Sequence, residues 1–81
     1  MTDPSDAEAR AAALADRLRD AHRALRSLDV SDDEKARAAR RLLAISDAAK
    51  HDVDRAALRL DSLLSDWEAG RVGAADDAGT T

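Results

Sequence analysis

From Ser31 to Ala69 the chain runs without a glycine or a proline, and Gly70 follows at once. Those two residue types are the strongest local interrupters of regular structure, so this stretch reads as helix. As one continuous helix it would be roughly 57 Å long at ~1.5 Å per residue. A chain of 81 residues has too little length left over to cover such a rod. Small domains bury proportionally little surface, and a disulfide, a metal or oligomerisation often supplies the rest. With no cysteine there is neither a disulfide framework nor a thiolate metal site. Association is the device that remains.

The rest of the composition agrees with a helical protein. Alanine supplies 20 residues, while there is one aromatic side chain, three glycines and one proline, which argues against a β-sheet. The opening MTDPSDAEAR has neither a basic start nor an apolar run, so no signal peptide is visible. No apolar stretch approaches membrane-spanning length. A soluble cytoplasmic protein without membrane contact is expected. The net charge of −4 hides an asymmetry: residues 10–41 are mildly basic between two acidic ends. This is a weak electrostatic signal, because large potentials need clustered charge of one sign.

Residues 1–4 read as a frayed lead and residues 5–70 as one helical domain. Ser5-Asp6-Ala7-Glu8 fits a capping box, in which a serine hydroxyl and a glutamate three residues on satisfy each other's backbone amides. From there to Leu28 the residues Ala7, Ala11, Leu14, Leu18, Ala21, Leu25 and Leu28 alternate at spacings of 4 and 3, a heptad seam. This predicts a first helix over 5–28. Ser31-Asp32-Asp33-Glu34 repeats the capping box after a short turn, with its acids where the helix dipole favours them. A second helix over 31–69 follows. Its seam runs through Lys35, Ala39, Leu42, Ser46, Ala49, Val53, Ala56, Leu60, Leu63 and Trp67. Folding the first helix back antiparallel pairs Leu25 with Lys35, Leu18 with Leu42 and Ala11 with Ala49, and the two seams agree in phase. Residues 71–81 are small and polar and read as a disordered tail.

The expected fold is therefore all-α: an antiparallel, coiled-coil-like two-helix hairpin with a longer second helix, dimerising into a helical bundle. Residues 54–69 then overhang the first helix while carrying the bulkiest apolar side chains. Exposed apolar surface of that kind marks a contact site, here Val53, Ala56, Ala57, Leu60, Leu63, Leu64 and Trp67. The alternative is a three-helix bundle, with a break near Ser46-Asp47 or His51-Asp52 that folds residues 53–69 back; serine and aspartate can cap a new helix start. A polar Lys35 or Ser46 on the seam would fix register at a cost in stability.

Candidate chemistry is sparse. Asp47 and His51 have the i,i+4 spacing of a helical carboxylate–histidine metal site. His22, the other histidine, lies roughly 20 Å away along the hairpin at ~1.5 Å per residue, so a solvated histidine is the better reading. No nucleophile–base pair, phosphate-cradling glycine loop or zinc spacing is present, so no enzyme, cofactor, metal or small-molecule ligand is expected. The functional reading is a non-enzymatic protein–protein interaction module that self-associates or docks a helical partner through residues 54–69. The alternative is a small dimeric nucleic-acid-associated regulator using Arg19, Arg23, Arg26, Lys35, Arg37, Arg40 and Arg41. Against it, recognition of single strands usually adds aromatic stacking platforms, and this chain has none near those arginines.

Overall fold

The structure, a computed structural model, describes residues 4–73. The fold is a compact three-helix bundle, with α1 spanning Pro4–Ser27, α2 Asp32–Ala49 and α3 Val53–Glu68. The all-α expectation holds; the two-helix hairpin does not. Helix 31–69 is interrupted at Lys50–Asp52, the later of the two break points considered, and residues 53–68 turn back over the first two helices.

The break needs no glycine. α2 ends in a tightened turn in which the amides of Lys50 and His51 donate to the Asp47 and Ala48 carbonyls at 3.1 and 3.0 Å, and Asp52 donates to Ala48 at 2.8 Å. Asp52 then leaves the helix in an extended conformation, φ −153° and ψ 92°, and its Oδ1 accepts the Arg55 amide at 3.1 Å. That is an N-cap. The Lys50, His51, Asp52 and Arg55 amides all find acceptors at the corner without a positive φ, which within the described residues is confined to Gly70 and Gly73.

The other helix ends follow the same logic. Ser31 caps α2, its Oγ accepting the Glu34 amide at 3.1 Å while its hydroxyl donates to the Glu34 carboxylate at 3.0 Å. Glu34 thus meets the serine hydroxyl instead of reaching back to the cap amide. α1 begins one residue before the predicted box, so Ser5 lies inside its first turn and Pro4 occupies the opening position, where proline loses nothing by lacking an N–H. α3 ends in a left-handed Gly70, φ +81°, with Gly70 N–H bonded to Trp67 O at 3.0 Å and Arg71 N–H to Asp66 O at 2.7 Å. This pair of bonds is the Schellman arrangement that satisfies the last carbonyls of a helix.

α1 and α2 form the expected antiparallel hairpin, and Lys35 Nζ donates to the Arg26 carbonyl at 3.3 Å across the end where Leu25 and Lys35 were paired. α3 runs parallel to α1. Two ion pairs, Arg10 with Asp54 and Arg17 with Asp61, repeat one heptad further along both helices. The core consists of Leu14, Leu18, Ala21 and Leu25 from α1, Ala38, Leu42 and Ile45 from α2, and Ala56, Leu60 and Leu63 from α3, closed by Val72. On α2 the buried line is 38–42–45 where the seam predicted 39–42–46. The rotation follows from its position: α2 packs against both α1 and α3, so its apolar arc is centred between them.

The overhang is reversed. α1, with 24 residues, outruns α3, with 16, and it is Ala7 and Ala11 at the α1 N-terminus that are exposed. Of the predicted tail 71–81, Arg71–Gly73 are folded against the bundle, and 74–81 lie outside the described residues. Of the predicted frayed lead, residues 1–3 also lie outside them.

Candidate functional site

The residues predicted to meet a partner divide into two groups. Ala56 and Leu60 are fully buried and Leu63 is 1 % exposed, all within the chain's own core, so these three do not form an external face. The correction follows from the break: once α3 folds back, its apolar stripe is covered by α1 and α2. Val53, Ala57, Leu64 and Trp67 are half-buried at the edges of that core. The Trp67 indole Nε1 is buried without a hydrogen-bond partner. The leucine that α3 does present to solvent is Leu58, 70 % exposed.

The predicted cationic set is likewise redistributed. Arg41 is buried between α2 and α3, its Nη1 donating to Asp66 Oδ2 at 2.8 Å, with Ser62 Oγ at 3.5 Å from Nη2. Arg19 pairs with Asp16 at 3.1 Å, Arg37 with Asp33, and Lys35 is engaged with the Arg26 carbonyl. Exposed side chains that join none of these bonds are Arg23, Arg26 and Arg40.

Arg41 and Asp66 belong to a small network that sequence reasoning missed. Asp66 Oδ1 accepts a second guanidinium, Arg71 Nη2, at 2.9 Å. The hydrogen bond from Arg41, then that from Arg71, hold the Asp66 carboxyl below its usual 3.8. A carboxylate saturated in this way is a poor proton acceptor, so the cluster is unsuited to general base catalysis. Its effect is structural. It ties α2 to α3 and to the segment beyond α3, where Val72 is 8 % exposed and Gly73 packs on Glu34. A Cβ on Gly73 would come within 3.0 Å of the Glu34 Cα, so this close approach requires glycine. One signal was available: Arg41 lies on the same arc as Ala38 and Ile45, inside the apolar stripe of α2 rather than opposite it.

The histidines stay apart. His22 is half-buried on α1 and His51 is exposed in the α2–α3 corner. Because α2 ends at Ala49, Asp47 and His51 do not share one helix face. Among the described residues no group of three or more His, Asp or Glu side chains is placed to hold a metal ion. No helix among them is long and apolar enough to cross a membrane.

Among the described residues, two grooves between helices open to solvent. One, of about 420 Å³, runs between α1 and α2 on the side away from α3 and is lined by Ala11, Ala15, Leu18, Ser46 and Ala49, with Arg19 and Lys50 at its rim. Leu43, 61 % exposed, lies one helical turn along the same flank of α2. The other, of about 300 Å³, lies between α1 and α3 and is bounded by Arg17, Asp20, Ala21, Ala24 and Leu64. Fold and surface together define the class: a small three-helix bundle with a buried inter-helix ion pair and an open groove beside its first hairpin. No family model, no curated protein and no solved structure matches the chain.

Proposed function

We propose that the chain is a non-enzymatic association module whose docking face is the outer α1–α2 groove, and that it takes a helical partner. The observation that carries this reading is the lining of the groove. Ala11, Ala15, Ser46 and Ala49 are small enough to let another helix approach closely, and Leu43 stands exposed beside them. A large aliphatic side chain left in water forgoes ~1.5–3 kcal/mol, and apolar surface with a polar rim favours association. The docking segment moves from residues 54–69 to this groove because the bulk of the α3 stripe is used internally. Helix-in-groove recognition would be read through apolar anchors at i, i+3, i+4 and i+7. Glutamates on the flanks of such a helix would meet Arg19 and Lys50 at the rim.

The test is an NMR titration of isotopically labelled protein with a capped amphipathic peptide carrying leucines at those spacings and glutamates on its flanks. Amide shifts confined to Ala11, Ala15, Leu18, Ser46 and Ala49, and abolished by Leu43→Asp, are expected. Shifts centred on Leu58, or no shifts at all, would overturn the assignment of the face.

A further inference from the structure

The two cations that line the α1–α2 groove stand at diagonally opposite corners of it. Anchored at its turn by the Lys35 bond to the Arg26 carbonyl, the antiparallel hairpin sets Lys50 level with Ala11 and Arg19 level with Leu42. Arg19 is on the α1 wall and Lys50 on the α2 wall, about eight residues or ~12 Å apart along the groove at ~1.5 Å per residue. The other two corners hold no cation. Exposed Leu43 stands on α2 beside the level of Arg19, and exposed Glu8 stands on α1 one turn before Ala12. Asp16 occupies only Nη1 of Arg19, and a guanidinium has further donors to offer. Lys50 joins none of the ion pairs described above.

The hand of the bundle fixes which corner is which. Seen from its N-terminus, a right-handed helix advances clockwise. On α1 this order takes Arg17 and Ala24 toward α3, then Leu14 and Leu18 into the core, then Ala11 and Ala15 toward α2. Viewed from solvent with α1 rising, α1 is therefore the right wall of the groove and α2 the left. Arg19 lies at the upper right and Lys50 at the lower left.

From this we infer that the helical partner carries two acids nine residues apart on opposite flanks of its apolar stripe: with the first at position j, the second is at j+9 and the apolar anchors are at j−1, j+3, j+6 and j+10. The inference rests on the groove being a docking face, as proposed above. In a helix whose anchors alternate at spacings of 3 and 4, the residue after the second anchor of each three-spaced pair lies on one flank, and the residue before the first lies on the other. Laid stripe-down in the groove and rising, such a helix has the former on its left and the latter on its right. A left-hand position followed by a right-hand one is separated by two, nine or sixteen residues. Nine, or ~13.5 Å, is the spacing that spans the distance from Lys50 to Arg19. Turning the partner end for end exchanges both its ends and its flanks, so the same pattern serves either direction. Acids at j+2 and j+7, on the same anchors, would instead lie toward the Glu8 and Leu43 corners. Charge pairs at a rim set orientation and register more than affinity, so Leu43 and the small groove residues supply the attraction while Arg19 and Lys50 select among amphipathic helices.

Peptides that differ only in where their charges sit test this. Two capped peptides share the four leucine anchors and overall composition; one has glutamates at j and j+9, the other at j+2 and j+7. Dissociation constants come from the amide shifts of Ala11, Ala15, Ser46 and Ala49 in the intact protein. The first peptide should bind about five-fold tighter at low salt, the size expected of two exposed ion pairs, and the difference should shrink as salt is added. Arg19→Glu with Lys50→Glu, both exposed positions, should keep the helical circular dichroism and now prefer a peptide with lysines at j and j+9. Equal affinities for the two glutamate peptides, or a charge-reversed variant that still prefers glutamates, overturn the diagonal arrangement and leave the docking face intact. Absence of binding by every peptide removes both.

Discussion

Leu60 and Leu58 sit two residues apart on α3 and separate the observed fold from the continuous hairpin. In the bundle Leu60 is fully buried and Leu58 is 70 % exposed. Leu60→Ala removes roughly three methylene equivalents from the core, or ~2.4 kcal/mol at ~0.8 kcal/mol each. The unfilled space adds to this, which places the total within the ~2–5 kcal/mol typical of buried leucine truncations. A domain of about 70 residues has roughly 3.5–10 kcal/mol of stability at ~0.05–0.15 kcal/mol per residue. The cavity left by this one truncation at Leu60 thus removes a large share of it. With each kcal/mol shifting the midpoint by ~4–8 °C in a domain of this size, a loss of ~3 kcal/mol lowers Tm by ~12–24 °C. Leu58→Ala should stay within about 0.5 kcal/mol of wild type, as surface substitutions generally do.

The assay is urea unfolding read by the fluorescence of Trp67 and by circular dichroism, with the midpoint compared at constant slope. Measurements belong at one low protein concentration, so that any self-association contributes equally to each chain. Equal midpoints for the two variants would refute the three-helix core. So would a Leu60→Ala chain whose monomer unfolds like wild type and which has lost only its assembly, because that outcome belongs to a protruding α3.

Three further outcomes follow from the same geometry. Asp52→Ala removes the cap that starts α3 and should cost about 1 kcal/mol in the same urea assay, whereas Asp54→Ala, an exposed partner of Arg10, should cost less. Asp66→Asn should lower Tm more than Arg41→Met: it leaves a guanidinium with a side chain only 5 % exposed facing no counter-ion, while the methionine variant leaves Asp66 held by Arg71. The folded Asp66 carboxyl titrates below its ordinary 3.8, so its contribution is complete above that value and lost as pH falls through the lower, folded one. Acid unfolding of Asp66→Asn should therefore lack the part of the decline that wild type shows below 3.8, and identical acid profiles would contradict this. Gly70→Ala meets open space and pays only the left-handed backbone penalty of ~1–2 kcal/mol. Gly73→Ala adds a collision with the Glu34 backbone. Hydrogen exchange should accordingly show Arg71–Gly73 opening more in the second variant than in the first.

What could be read from the chain beforehand was whatever repeats. The 4–3 alternation placed α1, the Ser31 cap placed the start of α2, and Gly70 placed the end of α3, because each is a local signal with one physical meaning. Arg41 was harder to read. An arginine inside an apolar arc is indistinguishable by spacing from one that reaches past its neighbours to water, and only the approach of Asp66 from α3 decides between them. Val72 carries no periodicity at all, since it follows the helix stop and is buried by the turn that Gly70 makes.

The break at Lys50–Asp52 shows most clearly why a continuous seam is not a continuous helix. A heptad pattern survives a corner if the segment after it turns the same stripe back toward the same core, and Val53, Ala56, Leu60 and Leu63 do this. The corner itself loses little: the Lys50, His51 and Asp52 amides keep acceptors in the last turn of α2, and Asp52 provides one for Arg55. Against that small loss stands the burial of Leu60 and Leu63, each ~1.5–3 kcal/mol relative to water. The premise that the bulky end of the second helix must be sheltered was sound. Shelter within the same chain is available at any concentration, whereas a dimer has to find its partner. A capable N-cap residue such as Asp52, one turn before the first uncovered apolar residue of a long helix, therefore counts as a stop even where glycine and proline are missing.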